Sequence, residues 1–419
     1  MSEVSAAITN ADQLAGAVDR IVADTPIVDA HTHVFTPAFG PLLLWGVDEL
    51  VSYHYLIAEV LRADRSVTPT EYWAMEPAKR AEHIWQKLFV ETCPISEARR
   101  GVLTTLRKLG IEVGPNSLTS AREYFADVTV EEHIDKVLEV SNVSAVVMTN
   151  DPFDQAEHEV WMSGPDADPR FRAAMRIDTL LNSWQQAYEK LRAWHYDVQP
   201  ALDIGTLKEV RRFLDDWADR MKPTYLAVSL PNDFAYPVDD ARSKIITECV
   251  LPLCRDRGIP FAMMVGVKRL VNPDLQLAGD GVGNWDMAPL QHLCRENPDV
   301  KFMVTILAKE NQHELCVTSR KFPNLLPFGC WWFLNNPSII TEMTRMRFEL
   351  LGFSVIPQHS DARILDQLIY KWDHSRLIIA QVLKEKYAEL MATGWPLDEA
   401  RIQADVTAIF SQNLADFVA

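Results

Sequence analysis

The sequence predicts an α/β fold in which eight parallel strands and the helices between them close into one (β/α)8 barrel. The first observation is a series of eight short apolar runs, most of them rich in β-branched or aromatic residues. Runs that are apolar on both faces are typical of buried parallel strands. The second observation is that helical patterns lie between the later runs, as at 239–257 and 337–351. Eight strand–helix alternations close naturally into a barrel.

The eight predicted strands share a short length and an apolar interior, and each ends in polar residues. In chain order they are residues 26–35, 143–148, 172–175, 225–230, 259–267, 301–307, 325–333 and 353–357. The glycines at 279–283 do not follow directly on a strand as a turn into a helix. They predict a flexible loop rather than a dinucleotide-binding turn.

The strands are unevenly spaced. About a hundred residues separate the first run from the second, although a typical barrel has roughly 250 residues altogether. This stretch predicts a helical insertion at approximately residues 37–140, on the side where barrel active sites lie. Residues 1–25 predict an N-terminal helix with Leu14, Val18 and Ile21 on one face, and the C-terminal tail is helical too. The insertion's helical patterns are 48–61, 77–89, 95–109 and 130–140.

The length of 419 residues fits one barrel domain over residues 1–419, with the insertion inside it. With 41 basic and 58 acidic residues, the net charge is −17. A body this acidic repels nucleic acid and anionic membranes, and basic residues come at most as doublets such as Lys268-Arg269. No apolar stretch approaches the ~20 residues of a membrane span. We therefore expect neither a nucleic-acid partner nor a membrane partner.

The six cysteines form no C-x-x-C pair, which argues against a zinc ribbon and against thioredoxin chemistry. Scattered cysteines in a chain of this size are typical of reduced thiols in the cytosol. The start of the chain lacks a basic segment followed by a long apolar run, so we expect no signal peptide. These features predict a cytoplasmic protein that acts on a small molecule, and a homo-oligomer is compatible with them.

His31 and His33 form the strongest chemical motif. Side chains two residues apart point the same way from a strand, so both imidazoles would face the barrel mouth. Two inward histidines at this spacing can ligate one divalent metal. Asp29 shares their face and is a candidate partner behind the ligands. The alternative is a pair of polar turn residues, and the apolar run before His31 favours the metal-ligand interpretation.

Asp361 is the second candidate, because it follows the eighth run and so lies at the barrel mouth. A carboxylate there can coordinate a metal, abstract a proton, or do both in turn. The alternative is a helix N-cap, since a helical pattern follows at 364–370. Pairing with His31 and His33 across the barrel favours the chemical role. His359 offers a third imidazole nearby.

Arg176 ends the third run, and Arg363 follows the eighth. Guanidinium groups bind carboxylates bidentately, and a barrel mouth is where a substrate carboxylate would lie. The alternative for each arginine is a surface ion pair. Of Trp331 and Trp332, only one can face inward if both lie on a strand. Tyr55 lies on an insertion helix, where an aromatic residue ordinarily packs.

A strand-one H-x-H motif, a strand-eight aspartate and a barrel together resemble the amidohydrolase superfamily. The finer resemblance is to the uronate isomerases, which include glucuronate isomerase, and especially to their divergent bacterial branch. It extends from about Asp29 to Phe417. The segments that carry it are Val28-Asp29-Ala30-His31-Thr32-His33, Tyr53-His54-Tyr55-Leu56, Met148-Thr149-Asn150-Asp151-Pro152, Met175-Arg176-Ile177-Asp178, Gly329-Cys330-Trp331-Trp332-Phe333 and Ile356-Pro357-Gln358-His359-Ser360-Asp361-Ala362-Arg363.

This resemblance implies an aldose–ketose isomerase that interconverts D-glucuronate with D-fructuronate and D-galacturonate with D-tagaturonate. It implies one divalent metal, with zinc expected, held by His31, His33 and Asp361. It also implies that Asp361 moves a proton between C2 and C1 through a cis-enediol, while Tyr55 moves a proton between the two oxygens. The implied substrate-binding residues are Arg176, Arg363, Trp331 and His54.

The sequence departs from the family pattern on the fifth strand. Most uronate isomerases carry a histidine there, and residues 261–267 contain none. The metal site is then completed by water or substrate. The fourth strand also lacks the lysine or histidine that two-metal hydrolases of the superfamily usually have, which argues against that class.

Two other functions remain open at this point. A mononuclear hydrolase or decarboxylase acting on another small acid would share the metal site, and release of carbon dioxide or a hydrolysis product would identify it. A sugar-acid binding protein without chemistry would bind tightly, show no turnover and be unaffected by Asp361→Asn.

Overall fold

The computed structural model describes residues 7–419, and in these residues seven parallel strands follow one another around a sheet. The spatial order is β1-β2-β3-β4-β5-β7-β8, and the short β6 pairs antiparallel with β5. The strands are β1 (Ile27–Thr32), β2 (Val143–Asn150), β3 (Phe171–Arg176), β4 (Leu226–Pro231), β5 (Phe261–Lys268), β6 (Gly281–Val282), β7 (Phe302–Ile306) and β8 (Leu325–Pro327).

Seven of the eight predicted runs contain a strand, which confirms the α/β barrel architecture. The eighth run, 353–357, is not a strand, and that prediction is wrong. It forms one isolated parallel bridge, from Ile356 to Phe328. Pro357 has no N–H to donate to a ladder, and Asp361 adopts a left-handed backbone with φ 50°. Both features prevent a regular strand.

The segment 356–362 nevertheless fills the gap between β8 and β1. On one side, the Ile356 N–H donates to the carbonyl of Pro327 at 3.2 Å. On the other side, the Asp361 N–H donates to the carbonyl of His31 at 3.1 Å. Irregular backbone therefore supplies the eighth wall of the barrel mouth.

Two further details differ from prediction. The seventh run, 325–333, is strand only as far as Pro327, and its end forms a 3₁₀ turn over Trp332–Leu334. The glycine-rich 279–283, predicted as a flexible loop, contains β6, whose pairing with β5 makes a hairpin. Hairpin pairing overrides the flexibility of the glycines because the neighbouring strand supplies hydrogen bonds.

Twenty α-helices surround or extend this sheet within residues 7–419. They are α1 (Ala11–Asp24), α2 (Val47–Val51), α3 (His54–Ala63), α4 (Pro69–Trp73), α5 (Pro77–Trp85), α6 (Glu97–Lys108), α7 (Ser117–Ala126), α8 (Val130–Ser141), α9 (Gln155–Ser163), α10 (Asp178–Asn182), α11 (Trp184–Ala193), α12 (Ile204–Met221), α13 (Ala241–Ile245), α14 (Leu251–Arg257), α15 (Ala288–Glu296), α16 (Gln312–Ser319), α17 (Pro337–Leu351), α18 (Gln367–Ala392), α19 (Glu399–Thr407) and α20 (Asn413–Val418). None is long and apolar enough to cross a bilayer.

The predicted helical stretch between the first two strands is confirmed, since α2 to α8 all lie there. The predicted N-terminal helix is α1, and its Leu14, Val18 and Ile21 are buried on one face. Residues 1–6, the start of that predicted segment, lie outside the described residues. The predicted helix at 337–351 is α17.

The barrel interior is filled by apolar side chains, of which several on the strands are alanines. Each of the seven parallel strands contributes at least one buried member to this inner cluster. Examples in strand order are Ala30, Val147, Ala174, Ala227, Ala262, Met303 and Leu326. Alanines suit a narrow barrel because inward residues from alternate strands share a layer.

Helix α18 ties the helical insertion to the barrel, packing against α1, α6, α8 and α17. At its start, the Asp366 carboxylate lies 2.7 Å from Nε2 of His133 in α8, and both side chains are fully buried. The other Asp366 oxygen accepts from the Gly46 N–H at 2.8 Å. One buried carboxylate thus joins the last part of the barrel to both ends of the insertion.

Candidate active site

His31, His33 and Asp361 converge at the mouth of the barrel. Nε2 of each histidine lies 3.6 Å from Oδ1 of Asp361. One ligand atom from each of the three residues lies within 4.8 Å of the others, and no other group of this kind occurs in residues 7–419. His31 lies near the end of β1 and His33 directly follows it, and the left-handed turn at Asp361 brings its carboxylate beside them.

Tyr225 determines the protonation of His31. Its hydroxyl donates its single proton to the carbonyl of Ala30 at 2.7 Å. The 3.2 Å contact between that hydroxyl and Nδ1 of His31 must then use a proton on Nδ1. Nε2 of His31 is therefore unprotonated, and it is buried without a hydrogen-bond partner. A bare lone pair consequently faces Asp361.

Thr149 does the same for His33. The Thr149 hydroxyl donates to the carbonyl of Thr32 at 3.0 Å and lies 2.9 Å from Nδ1 of His33. Nδ1 must carry the proton of this second contact, because a hydroxyl has one proton to give. Nε2 of His33 therefore also presents a lone pair to Asp361.

These donor atoms fit a divalent metal. Burial lowers the pKa of His31 to about 3 and the pKa of His33 well below its usual range, so both imidazoles are neutral at physiological pH. Two neutral imidazoles and one carboxylate are ordinary ligands for such an ion. The unpartnered Nε2 of His31 is a buried polar atom that an ion would satisfy.

Asp29 supports the backbone beside the histidines rather than their rings. Its carboxylate accepts from the Ser360 N–H at 3.0 Å and from the indole N–H of Trp372 at 2.8 Å. It also lies 3.4 Å from the His31 N–H. The predicted partner behind the ligands thus acts by fastening the Asp361 segment to β1.

A cavity opens above these three residues at the mouth of the barrel. Seven sequence-predicted site residues line it, and six further residues were not predicted as site residues. The predicted ones are His31, His33, His54, Arg176, Trp331, Asp361 and Arg363. The others are Tyr53, Ser229, Met264, Arg269, Leu277 and Trp332.

The arginines of the cavity differ in their partners. Arg176 is paired with Asp178, with N–O distances of 3.1 and 3.2 Å. Arg363 has no acidic partner within the described residues 7–419. An unpaired guanidinium attracts a carboxylate more strongly than a neutralised one, so Arg363 is the better candidate for that role.

His54 faces the cavity with a defined tautomer. The indole N–H of Trp332 donates to Nε2 of His54 at 3.0 Å, so the ring proton lies on Nδ1 and is available to a ligand oxygen. Burial lowers the pKa of His54 to about 3. A neutral donor of this kind suits a sugar hydroxyl or carbonyl.

Tyr55, the predicted proton shuttle, does not line the cavity. Its hydroxyl donates to the carbonyl of Trp332 at 3.2 Å. Tyr53 lines the cavity instead, and the two rings meet edge to face at 4.9 Å. Burial raises the pKa of both phenols well above the usual value, so both are protonated at neutral pH. The Tyr53-His54-Tyr55 motif indicates a tyrosine in the site, but the geometry at the start of α3 decides which of the two rings faces the cavity.

The expectation that only one of Trp331 and Trp332 faces inward is wrong, because both line the cavity. The strand has ended before them, and Trp332 adopts a left-handed backbone with φ 47°. Strand alternation does not apply to such a turn.

His359 lies inside the barrel and outside the group of three. It is fully buried, its ring lies 5.2 Å from that of His31, and neither ring nitrogen has a hydrogen-bond partner. Gly329 faces it so closely that a Cβ there would come within 1.6 Å of the His359 ring. The structure gives this imidazole a packing contact and no ligand position.

Solved structures resemble this chain over nearly its whole length. A uronate isomerase from Bacillus halodurans C-125 is 52% identical, with a TM-score of 0.97 over 98% of this chain and 97% of that one. A uronate isomerase from Thermotoga maritima matches at 15% identity and TM-score 0.78, over 98% of each chain. A glucuronate isomerase from Caulobacter crescentus matches at 15% identity and TM-score 0.76, over 100% of this chain and 95% of that one. No protein-family model and no curated protein matches the sequence.

The barrel and its histidine–histidine–aspartate group define a protein of the amidohydrolase fold whose site can hold a metal. The two matches at 15% identity support that fold and no more. The match at 52% identity over nearly both whole chains goes further. The chain belongs to the uronate isomerase family.

Proposed function

We propose that this protein is a uronate isomerase that interconverts D-glucuronate with D-fructuronate and D-galacturonate with D-tagaturonate. The observation that carries the proposal is that His31, His33 and Asp361 line the same cavity as Arg363, an arginine without an acidic partner in residues 7–419. A group that polarises oxygens, a carboxylate base and a free cation are what proton transfer next to the carbonyl of a sugar acid requires. Membership in the family supports the same conclusion.

The site would hold one divalent ion, which we propose to be zinc, through Nε2 of His31, Nε2 of His33 and Asp361. When bound, such an ion polarises the oxygens of the reacting carbons. Zinc commonly takes imidazole nitrogen and carboxylate oxygen ligands, with an open position left for water or substrate.

Asp361 is the group that moves the proton in this proposal. Its Oδ1 faces the two histidines at 3.6 Å, which leaves Oδ2 for the substrate. The carboxylate would take the C2 proton of the aldose and return it to C1, giving the ketose. Tyr53, which lines the cavity with Tyr55 packed behind it, would move the second proton between the oxygens on C1 and C2.

The remaining cavity groups would orient the substrate. Arg363 would bind the carboxylate, and the Nδ1–H of His54 would donate to a substrate oxygen. Trp331 would cover one face of the sugar, and Arg176, already paired with Asp178, would contribute N–H donors. Holding both ends of a flexible acid in this way places C2 at the base.

Conversion of each sugar acid in deuterated water tests the proposal. Purified protein supplied with zinc or manganese should form ketose that carries solvent deuterium, because the proton resides on Asp361 between removal and return. Asp361→Asn should abolish turnover. Asp233→Asn is the matched control, since Asp233 is an exposed aspartate beyond β4 that does not line the cavity.

Unchanged sugar acids in this assay would overturn the proposed function. Ketose that retains all of its original C2 hydrogen would instead indicate a hydride shift and would remove Asp361 as the base.

We also propose a cytoplasmic location. All six cysteines are unpaired in the structure, and free thiols persist in a reducing compartment.

A further inference from the structure

Arg269 enters the cavity from the side opposite the histidines. It directly follows β5, the fifth strand in the order β1-β2-β3-β4-β5-β7-β8. In a barrel, that position lies across the mouth from β1, which ends beside His31 and His33. Arg269 lines the same cavity as those histidines. Three arginines therefore surround one small-molecule site.

Arg269 differs from Arg363 in its charge environment. Its Nη1 donates to Oδ2 of Asp280 at 2.5 Å, and the Asp280 side chain is 1% exposed. This buried carboxylate neutralises the guanidinium, whereas Arg363 has no acidic partner among residues 7–419. A guanidinium has five N–H donors, and the ion pair uses one of them. Arg269 thus offers hydrogen-bond donors with little net charge, which suits a hydroxyl better than a second carboxylate.

The loop 269–280 is built to hold this residue. It is the turn of the hairpin between β5 and β6. The Leu270 N–H donates to the Asp280 carboxylate at 2.8 Å, and the Asn272 N–H donates to the Gly279 carbonyl at 3.0 Å. A Cβ on Gly279 would come within 1.8 Å of the Asn272 carbonyl oxygen, so only glycine permits this close approach.

The tip of the loop reaches across the mouth to the helical insertion. The Trp73 indole N–H donates to the carbonyl of Asp274 at 3.0 Å. Leu277 lines the cavity while remaining 59% exposed, so this apolar side chain hangs over its opening. Because the base and the tip of the loop are both fastened, the half-exposed Arg269 side chain is held at the opening.

We propose that Arg269 is a further substrate-binding residue, whose N–H groups donate to a hydroxyl oxygen on C3, C4 or C5 of the sugar acid. This inference rests on the proposed function. With C1 and C2 beside Asp361 and the carboxylate on Arg363, the hydroxyls of the middle carbons remain for the opposite wall. Arg269 is the charged donor on that wall.

Steady-state kinetics on D-glucuronate and D-galacturonate test the proposal with metal-loaded protein. Arg269→Gln should raise KM about tenfold or more for at least one of them, because a hydrogen bond from a charged donor is lost, while kcat changes little. Arg269→Lys should do nearly the same, since lysine keeps the charge and loses the planar fork. Lys268→Gln is the matched control: Lys268 is the exposed preceding residue and does not line the cavity.

Uronates that lack one hydroxyl identify the oxygen. For wild type, one of the 3-, 4- and 5-deoxy compounds should bind more weakly than the parent acid. For Arg269→Gln, that same compound and the parent acid should bind equally well, because the hydrogen bond is already lost. An unchanged KM in Arg269→Gln, or a wild-type KM in Arg269→Lys, overturns the inference. If Arg269→Gln does not fold, the Arg269→Lys result decides. A wild-type protein that converts neither sugar acid refutes the proposed function instead.

Discussion

At the scale of single residues, the site depends on where two protons lie. The Tyr225 and Thr149 hydroxyls each donate their one proton to a backbone carbonyl, and each hydroxyl oxygen therefore accepts from a histidine Nδ1–H. This arrangement keeps both Nε2 atoms as acceptors in the absence of any ion. Thr149 lies on β2 and Tyr225 lies just before β4, so neighbouring parts of the barrel fix the tautomers of His31 and His33.

Tyr225→Phe should weaken metal binding by about 10- to 100-fold, the usual cost of removing the partner of a ligating imidazole. The Nδ1–H of His31 would lose its acceptor, and the tautomer with a free Nε2 would lose its advantage. Competition against a chromophoric zinc chelator measures the affinity. Tyr196→Phe is the control, because its hydroxyl bonds Asp216 on the surface. Equal zinc affinity of Tyr225→Phe and wild type would contradict this account of the tautomer.

We expect the folding stability of the protein to depend on pH through the buried Glu157. Burial raises its pKa to about 7 from the ordinary 4.5, so the folded protein binds this proton more tightly than the unfolded chain. Its stabilising contribution is complete below pH 4.5 and is lost as pH rises to 7, by at most about 3 kcal/mol. From pH 5 to pH 8, the melting temperature of Glu157→Gln should therefore rise relative to wild type.

The control for this change is Glu159→Gln, on the exposed side of the same helix. Its melting temperature should follow that of wild type at every pH. A difference between Glu157→Gln and wild type that stays constant from pH 5 to pH 8 would argue against the burial explanation.

At the scale of elements, the irregular segment 356–362 replaces a strand, and its neighbours are shaped to accept it. Gly329, just beyond β8, has φ 70° and faces the ring of His359 with no room for a side chain. The Lys371 ammonium on α18 donates to the carbonyl of Ser360 at 2.5 Å. A strand, a glycine and a buried lysine together hold the turn that presents Asp361.

Gly329→Ala should destabilise the protein by about 3 kcal/mol or more, because the new Cβ overlaps a buried ring and the backbone is left-handed. Gly16→Ala, in the exposed middle of α1 with nothing within 4 Å of the new Cβ, should stabilise it by about 0.5–1 kcal/mol. Chemical denaturation of both variants measures these opposite signs. If Gly329→Ala leaves the free energy of unfolding unchanged, the His359 ring must be able to adopt another conformation.

Elements with a strong period could be predicted from the sequence, and those set by tertiary contacts could not. The apolar runs predicted eight strands, of which seven are present, and the two-residue spacing predicted that His31 and His33 share a face. Pro357, at the end of the run 353–357, is a local signal against a regular strand, whereas the left-handed turn at Asp361 depends on tertiary contacts and could not be predicted. Tyr53 and Arg269 escaped prediction as site residues because a helix start and a hairpin, respectively, aim them at the cavity.

At the scale of the whole molecule, packing controls thiol reactivity. Cys93 is exposed, and the other five cysteines are buried. Burial raises the pKa of all five, to about 12 for Cys249 and Cys294 and to about 11 for Cys330, which leaves almost no thiolate at neutral pH.

One thiol per chain should therefore react rapidly with a disulfide reagent in the native protein, and six should react in denaturant. Colorimetric titration counts them, and Cys93→Ser should leave almost no fast phase. A second rapid thiol in native Cys93→Ser would mean that part of the buried interior opens readily.

The overall charge places a further demand on the site. At −17 the body repels an anionic substrate, although salt screens this beyond about 8 Å at physiological strength. Attraction must therefore be local, and the unpaired Arg363 beside His31, His33 and Asp361 is placed to supply it.

The buried Asp366–His133 contact has a consequence for how this chain can be divided. The insertion looks separable along the sequence, since its helices form one uninterrupted stretch between β1 and β2. Yet the carboxylate that fastens it comes from more than two hundred residues later, at the start of the helix that also carries Lys371. In a shortened enzyme without the insertion, the Asp366 carboxylate would stay in the protein interior without its partners. It lies only a few residues from the turn that carries Asp361. The insertion is thus not a detachable module, and minimal versions of this enzyme should retain it.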